Sequence, residues 1–137
     1  MIFFTADQHF NHSQIIKYCN RPFNSTQEMN SVMIERWNSV VKSEDTTYIL
    51  GDLFFHKDDH EKILNSLNGK KILIIGDHDV IKSSSIFESS RDYLFFKYKD
   101  IKIALFHWCI RSWQQSHYNT FHLFGHSHGK LLPIGKS

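Results

Sequence analysis

The sequence predicts an α/β fold, a sheet sandwich with helices outside. Three observations predict it. In the first half, short apolar runs alternate with helix-period stretches, the order of βαβ units with parallel strands. In the second half, two apolar runs are separated only by Lys99-Asp100, the mark of an antiparallel pair. The 137 residues, 41% hydrophobic and 22% charged, have an ordinary globular composition and suffice for one cored domain, residues 1–137.

The elements follow in order. Residues 2–4 are apolar and aromatic and suit a buried strand. Residues 12–19 fit a short helix, which Arg21-Pro22 breaks. Ser25-Thr26-Gln27-Glu28 reads as a capping box, and Met29, Val32, Met33, Trp37 and Val40 behind it recur at helical spacing, which predicts a helix over 26–42. Residues 48–50 are a second strand, 58–67 a helix ending at the Asn68-Gly69 turn, and 72–75 a third strand. The serine-rich stretch 80–91 reads as loop or short helix. Strands are expected at 93–98 and 101–106, a loop over 108–120, a last apolar run at 121–124, and an edge strand at 130–134.

Composition excludes several classes. No apolar run reaches the ~20 residues of a membrane helix, and Met1-Ile2-Phe3-Phe4 lacks the basic flank and long apolar core of a signal peptide. Two cysteines, Cys19 and Cys109, make no disulfide framework, so a reducing cytoplasm is the expected compartment. The formal charge of +2 is too even to point to nucleic acid. Ten histidines are out of proportion for this length, and histidine is the commonest metal ligand.

Five clusters share one grammar, an apolar run followed at once by Gly, Asp or His: Asp7/His9, Asp52, Asp77/His78, His107 and His126/His128. Ligands collect at the carboxyl ends of strands in open α/β sheets. Five such ends would gather three carboxylates and several imidazoles in one place, and such a set is costly unless cations neutralise it. Mixed His and carboxylate ligands suit first-row divalent metals. Seven ligands exceed one tetrahedral site, so two metals about 3.5–4 Å apart are the natural occupants.

The order of the clusters resembles the signature of calcineurin-like metallophosphoesterases: D-x-H, G-D, G-N-H-[DE], a lone His, then G-H-x-H. Here these are Asp7-Gln8-His9, Gly51-Asp52, Gly76-Asp77-His78-Asp79, His107 and Gly125-His126-Ser127-His128. Any one is weak; all five in order, from residue 7 to residue 128, is a strong signal. Arg21-Pro22-Phe23, Trp37-Asn38 and Leu50-Gly51-Asp52 further resemble a compact bacterial and phage branch. The resemblance implies a four-layer α/β/β/α sandwich, two mixed sheets flanked by helices. It implies one metal held by Asp7, His9, Asp52 and His128, and a second by Asp52, Asp77, His107 and His126, with Asp52 bridging. Manganese is the first choice, with iron, zinc, cobalt or nickel as alternatives. A hydroxide between the metals would attack phosphorus in line, and the catalytic His78 would steady the transition state or protonate the leaving oxygen.

One position departs from the pattern: Asp77 stands where the family has Asn. Three carboxylates and a hydroxide cancel the charge of two divalent ions, whereas Asn would leave one positive charge for a phosphate anion. Asp77 would hold the metals tightly and dull their Lewis acidity, or favour a mixed-valence iron pair.

The expected activity is hydrolysis of phosphodiesters of the nucleotide or cyclic-nucleotide kind. The alternatives are a phosphomonoesterase on nucleotides or phosphoproteins, and a catalytically weak metal-binding module because of Asp77. Expected partners are a phosphate-ester small molecule or nucleotide; nucleic acid is less favoured, a membrane is not expected, and a second copy would cover an open sheet edge. The substrate-binding residues are not legible.

Other residues have plainer roles. Asp79 is expected to bond backbone amides. His12, one turn after His9, either lines the pocket or caps a helix. His56, His60 and His117 should be exposed, and His122 should face away from the core. Arg21 and Arg111 suit surface salt bridges. Trp37, Trp108 and Trp113 suit packing, Cys109 a small buried hydrophobe, and Lys97, Lys99 and Lys102 a solvated hairpin.

Overall fold

Strand β1 (Ile2–Thr5) opens the chain, followed by helices α1 (Ser13–Tyr18) and α2 (Thr26–Val40), strand β2 (Thr46–Ile49), helix α3 (His60–Ser66) and strands β3 (Lys70–Ile74) and β4 (Ser89–Arg91). Strands β5 (Tyr93–Tyr98), β6 (Ile101–Phe106) and β7 (Thr120–Leu123) complete the described elements, with a 3-10 turn at Ser116–Tyr118 before β7. The computed structural model describes residues 1–82 and 84–132.

The first sheet has order β1-β2-β3-β4 and is wholly parallel, with Phe4 opposite Tyr48 and Tyr48 opposite Ile72. The second has order β5-β6-β7, antiparallel between β5 and β6 and parallel between β6 and β7. The first sheet has the parallel strands that the βαβ order predicts, and the two mixed sheets implied by the resemblance are corrected for it: each of its crossovers carries the chain back before pairing, so every pair runs the same way.

Helix α2 begins where the capping box put it. Ser25 accepts from the Glu28 amide at 3.1 Å, and the Glu28 carboxylate accepts from the Asn24 amide at 2.7 Å, one residue before the cap. Trp37, Val41, Ile49, Leu64 and Leu73 bury the outer face of the first sheet under α2 and α3. Its other face meets the second sheet through Leu50, Ile74, Ile103 and Leu105, and Tyr48 stacks between Phe4 at 5.4 Å and Phe96 at 4.8 Å.

The layers are thus helix, sheet, sheet. No helix covers the outer face of the second sheet among the described residues, which corrects the four-layer expectation. Part of that face lies instead under the segment after β6. There His122 is fully buried, although it does point away from the core between the sheets. Its Nδ1 lies 3.3 Å from the Ala104 carbonyl oxygen, its Nε2 accepts from the Ile110 amide at 3.3 Å, and Trp113 packs at 5.2 Å.

Three further expectations change. The stretch 80–91 holds strand β4, whose ladder with β3 overrides its weak serine propensity. Cys109 is exposed, because it follows His107 out of the sheet into the loop. Residues 130–132 form no strand, and 133–134 lie outside the described residues. No helix among the described residues is long and apolar enough to cross a membrane.

Candidate metal centre

Parallel strands deliver their loops to one edge, and the first two loops are zipped together. The Asp7 amide donates to the Gly51 carbonyl at 3.0 Å, His9 to Asp52 at 2.9 Å and Phe10 to Leu53 at 2.8 Å. At the same end β6 runs into His107 and β7 into Gly125, whose amide donates to the His107 carbonyl at 2.9 Å. Asp7 Oδ1 accepts from the His126 amide at 2.9 Å, tying the first strand's loop to the last's.

These loops bring two groups together, Asp7 with His9 and His128, and Asp52 with His107 and His126, the ligand atoms of each group lying within 4.8 Å of one another. Asp52 stands between them. Its Oδ2 is 3.6 Å from His9 Nε2 and 3.5 Å from His107 Nε2, while Oδ1 accepts from the His78 amide at 2.9 Å. Asp77 joins at the rim, with Oδ2 3.1 Å from His126 Nδ1 and 3.2 Å from the Trp108 indole N–H that donates to it.

His9 Nε2 and His107 Nε2 are buried with no hydrogen-bond partner. Buried polar atoms are rarely left so. His107 Nδ1 lies 2.7 Å from the Leu50 carbonyl oxygen, which only an N–H can satisfy, so in the neutral ring the Nε2 lone pair faces Asp52. A buried imidazole lone pair beside a carboxylate is the donor arrangement a transition-metal ion accepts, with the other ring nitrogen held by an outer partner. The residues therefore fit a metal pair.

The backbone is strained at the same places. Asp7 (φ 56°), His9 (φ 53°), Asp52 (φ 55°), His126 (φ 62°) and His128 (φ 49°) all occupy the left-handed region. That region costs a non-glycine residue about 1–2 kcal/mol, and such strain concentrates at functional sites. Two glycines make room. At Gly51 (φ +86°) a Cβ would collide with the His107 ring, and at Gly76 it would lie 2.5 Å from Asp52 Oδ1.

Burial and charge set the proton affinities. Burial pushes the His9 imidazole down to about 3 and the Asp7 carboxyl up. Burial also works to raise Asp52, but the nearby His107 ring and the bond from the His78 amide outweigh it and hold Asp52 at about 2. For His107 burial works downward, and the Asp52 carboxylate overcomes it and raises the ring's proton affinity.

Supporting residues complete the centre. Asp79 behaves as expected: Oδ2 accepts from the Gly76 amide at 2.7 Å and the Asp52 amide at 2.9 Å, and Oδ1 from the Leu53 amide at 2.8 Å. Arg21 does not form the expected surface salt bridge. Its guanidinium donates to the Gln8 and Asp7 carbonyl oxygens, both at 2.7 Å, and so clamps the strained turn that carries Asp7 and His9. Only the tertiary approach of residue 21 to that turn decides this, and no sequence signal marks it. His12 lines the pocket rather than capping with its side chain; its Nδ1 lies 3.3 Å from His9 Nδ1, and its spacing from His9 is the signal that points there. Cys19 Sγ lies 3.4 Å from His128 Nδ1, a contact that the sequence does not suggest. His56 and His117 are exposed as expected; His60 is half-buried, with its ring edge-on to Phe54. Arg111 is exposed.

The centre opens into a cleft of about 390 Å³ lined by His9, His12, Tyr18, Phe55, His78 and His128 among others. The exposed His78 ring stands 5.7 Å from that of His9 and 5.4 Å from that of Phe55. A larger cavity of about 530 Å³ lies between β1 and α2; of the seven ligand candidates it touches only Asp7.

No family model matches the chain. It is 48% identical over 81 residues to "Uncharacterized protein MJ1445" of Methanocaldococcus jannaschii, covering 57% of this chain and 46% of that one. It is 30% identical over 80 residues to "Gene 66 protein" of Mycobacterium phage L5, covering 56% and 38%. The chain thus spans less than half the length of these curated relatives. Among solved structures it resembles a protein of unknown function, AQ665 from Aquifex aeolicus, with a TM-score of 0.68 and 34% identity over 79% of this chain and 60% of that chain.

Proposed function

We propose that the chain is a metal-dependent phosphoesterase of the calcineurin-like kind, hydrolysing phosphodiester bonds of nucleotide-type substrates at a centre built for two divalent ions, manganese first among them. The observation that carries this is the pair of buried, unpartnered nitrogens, His9 Nε2 and His107 Nε2, on either side of one Asp52 oxygen. Asp7, His9 and His128 would hold one ion and His107, His126 and Asp77 the other, with Asp52 shared. Bound there, the ions would supply Lewis acidity to the phosphoryl group and acidify the attacking water.

The chain's own residues do the rest. Asp79 holds the Asp52 and Gly76 backbone in place, so the loop that presents Asp77 and His78 is fixed against the Asp52 loop. The Asp52 carboxylate anchors the His78 amide, leaving the exposed imidazole at the cleft to give a proton to the departing oxygen. Arg21 holds the turn that aims Asp7 and His9. Preorganisation of this sort is where such sites gain rate.

The test uses metal-stripped protein given Mn²⁺ and then an aryl phosphodiester beside its monoester. Diester cleavage that depends on Mn²⁺ and falls by ~10²–10⁴ in His78→Ala is expected. No cleavage of either ester with Mn²⁺, Fe²⁺, Zn²⁺ or Co²⁺ would overturn the assignment.

A further inference from the structure

The cleft beside the metal centre is rich in aromatic rings, and among its described residues it holds no lysine or arginine. The His12 and Phe55 rings stack flat, 3.7 Å apart at 6°, and the His78 ring lies tilted 5.4 Å from Phe55. Tyr18, at the end of α1, leaves 71% of its surface in solvent and meets the His12 ring edge-on at 6.5 Å. The guanidinium closest in sequence to these residues, that of Arg21, donates to the Gln8 and Asp7 carbonyls.

A polyanion offers several phosphates, and recognition of them requires Lys or Arg along the backbone path. This cleft would leave all but the reacting phosphate unmet. What it offers next to that phosphate is a cluster of aromatic rings ending in the exposed ring of Tyr18. Aromatic faces of this kind take bases by stacking, at about 1–3 kcal/mol per base.

We infer that Tyr18, with the stacked His12 and Phe55 rings behind it, forms a nucleobase subsite, so that the substrate is a single-phosphoryl nucleoside ester rather than a nucleic-acid strand or a phosphoprotein. This rests on the phosphoesterase assignment for where the phosphoryl group sits. Tyr18 is the specificity-determining residue of that subsite.

The test is binding by the Mn²⁺-loaded protein, measured by equilibrium dialysis with adenosine 5′-monophosphate and with ribose 5-phosphate. The two share sugar and charge and differ in the base. The nucleotide should bind about tenfold tighter. Tyr18→Ala should bring the ratio near one, and Tyr18→Phe should keep it. Tyr18 is largely exposed, so neither change threatens the fold. Equal binding of the two ligands, no binding of the nucleotide, or a preference that survives Tyr18→Ala overturns the subsite. Cleavage of methyl p-nitrophenyl phosphate is followed in parallel. A base preference that depends on Tyr18 in a protein that cleaves no ester supports the subsite and sinks the phosphoesterase assignment instead.

Discussion

Asp77 puts a charge where the resembled family has an amide. Its carboxylate is engaged by His126 Nδ1 at 3.1 Å and the Trp108 indole at 3.2 Å. Removing that charge while keeping the oxygen should leave more positive charge for the substrate's phosphate. Asp77→Asn is expected to turn over faster with Mn²⁺, or to reach its maximum at lower pH; a pH–rate profile slower throughout would refute the charge argument. His122 makes a separate prediction. Burial pushes its imidazole below the ordinary value of 6.5, and its ring bonds fit the neutral form. A folded-state pKa below the unfolded one means that the unfolded chain takes the proton first as pH falls. The stability His122 contributes is therefore present above about pH 6.5 and lost as the solution is acidified through and below it. In metal-free protein the gap in urea midpoint between wild type and His122→Gln should narrow from pH 7 to pH 5; a widening gap would refute this.

Single elements differ in how plainly the sequence announces them. Helix α2 is legible because its cap and its apolar spacing agree, and the structure begins it at Thr26, one residue after Ser25. Strands β5 and β6 are legible because six-residue apolar stretches flank a two-residue turn. Strand β4, Ser89–Arg91, is not, since only the β3 ladder makes those polar residues a strand. The turn after β1 is legible as chemistry but not as mechanics: Asp7 and His9 stand out, whereas their clamp, Arg21, does not. Arg21→Ala should weaken Mn²⁺ binding by about 10–100-fold, the usual cost of losing an outer partner of a metal site. Arg21→Lys should recover little, because an ammonium cannot span two carbonyls as the guanidinium fork does. Titration calorimetry with Mn²⁺ checks this, and two ions bound at wild-type affinity in Arg21→Ala would refute it.

At the scale of the molecule the centre exists only because two sheets end together. Leu105, fully buried between Leu94 and Leu123 on the second sheet, precedes His107 by two residues and packs in the core between the sheets. Leu105→Ala should cost about 2–5 kcal/mol in urea unfolding and weaken Mn²⁺ binding through His107. A loss under 1 kcal/mol would mean that the sheets are held by other contacts. By itself the sequence determined the α/β class and the order of the strands and helices apart from β4, and it singled out seven candidate ligands with His78, because apolar runs and the residues that end them are local patterns. The tertiary structure alone decided that the described layers number three, that His122 is buried and Cys109 exposed, and that Asp52 stands between His9 and His107. Each of these depends on which segments pack together, and neither periodicity nor spacing along the chain encodes that.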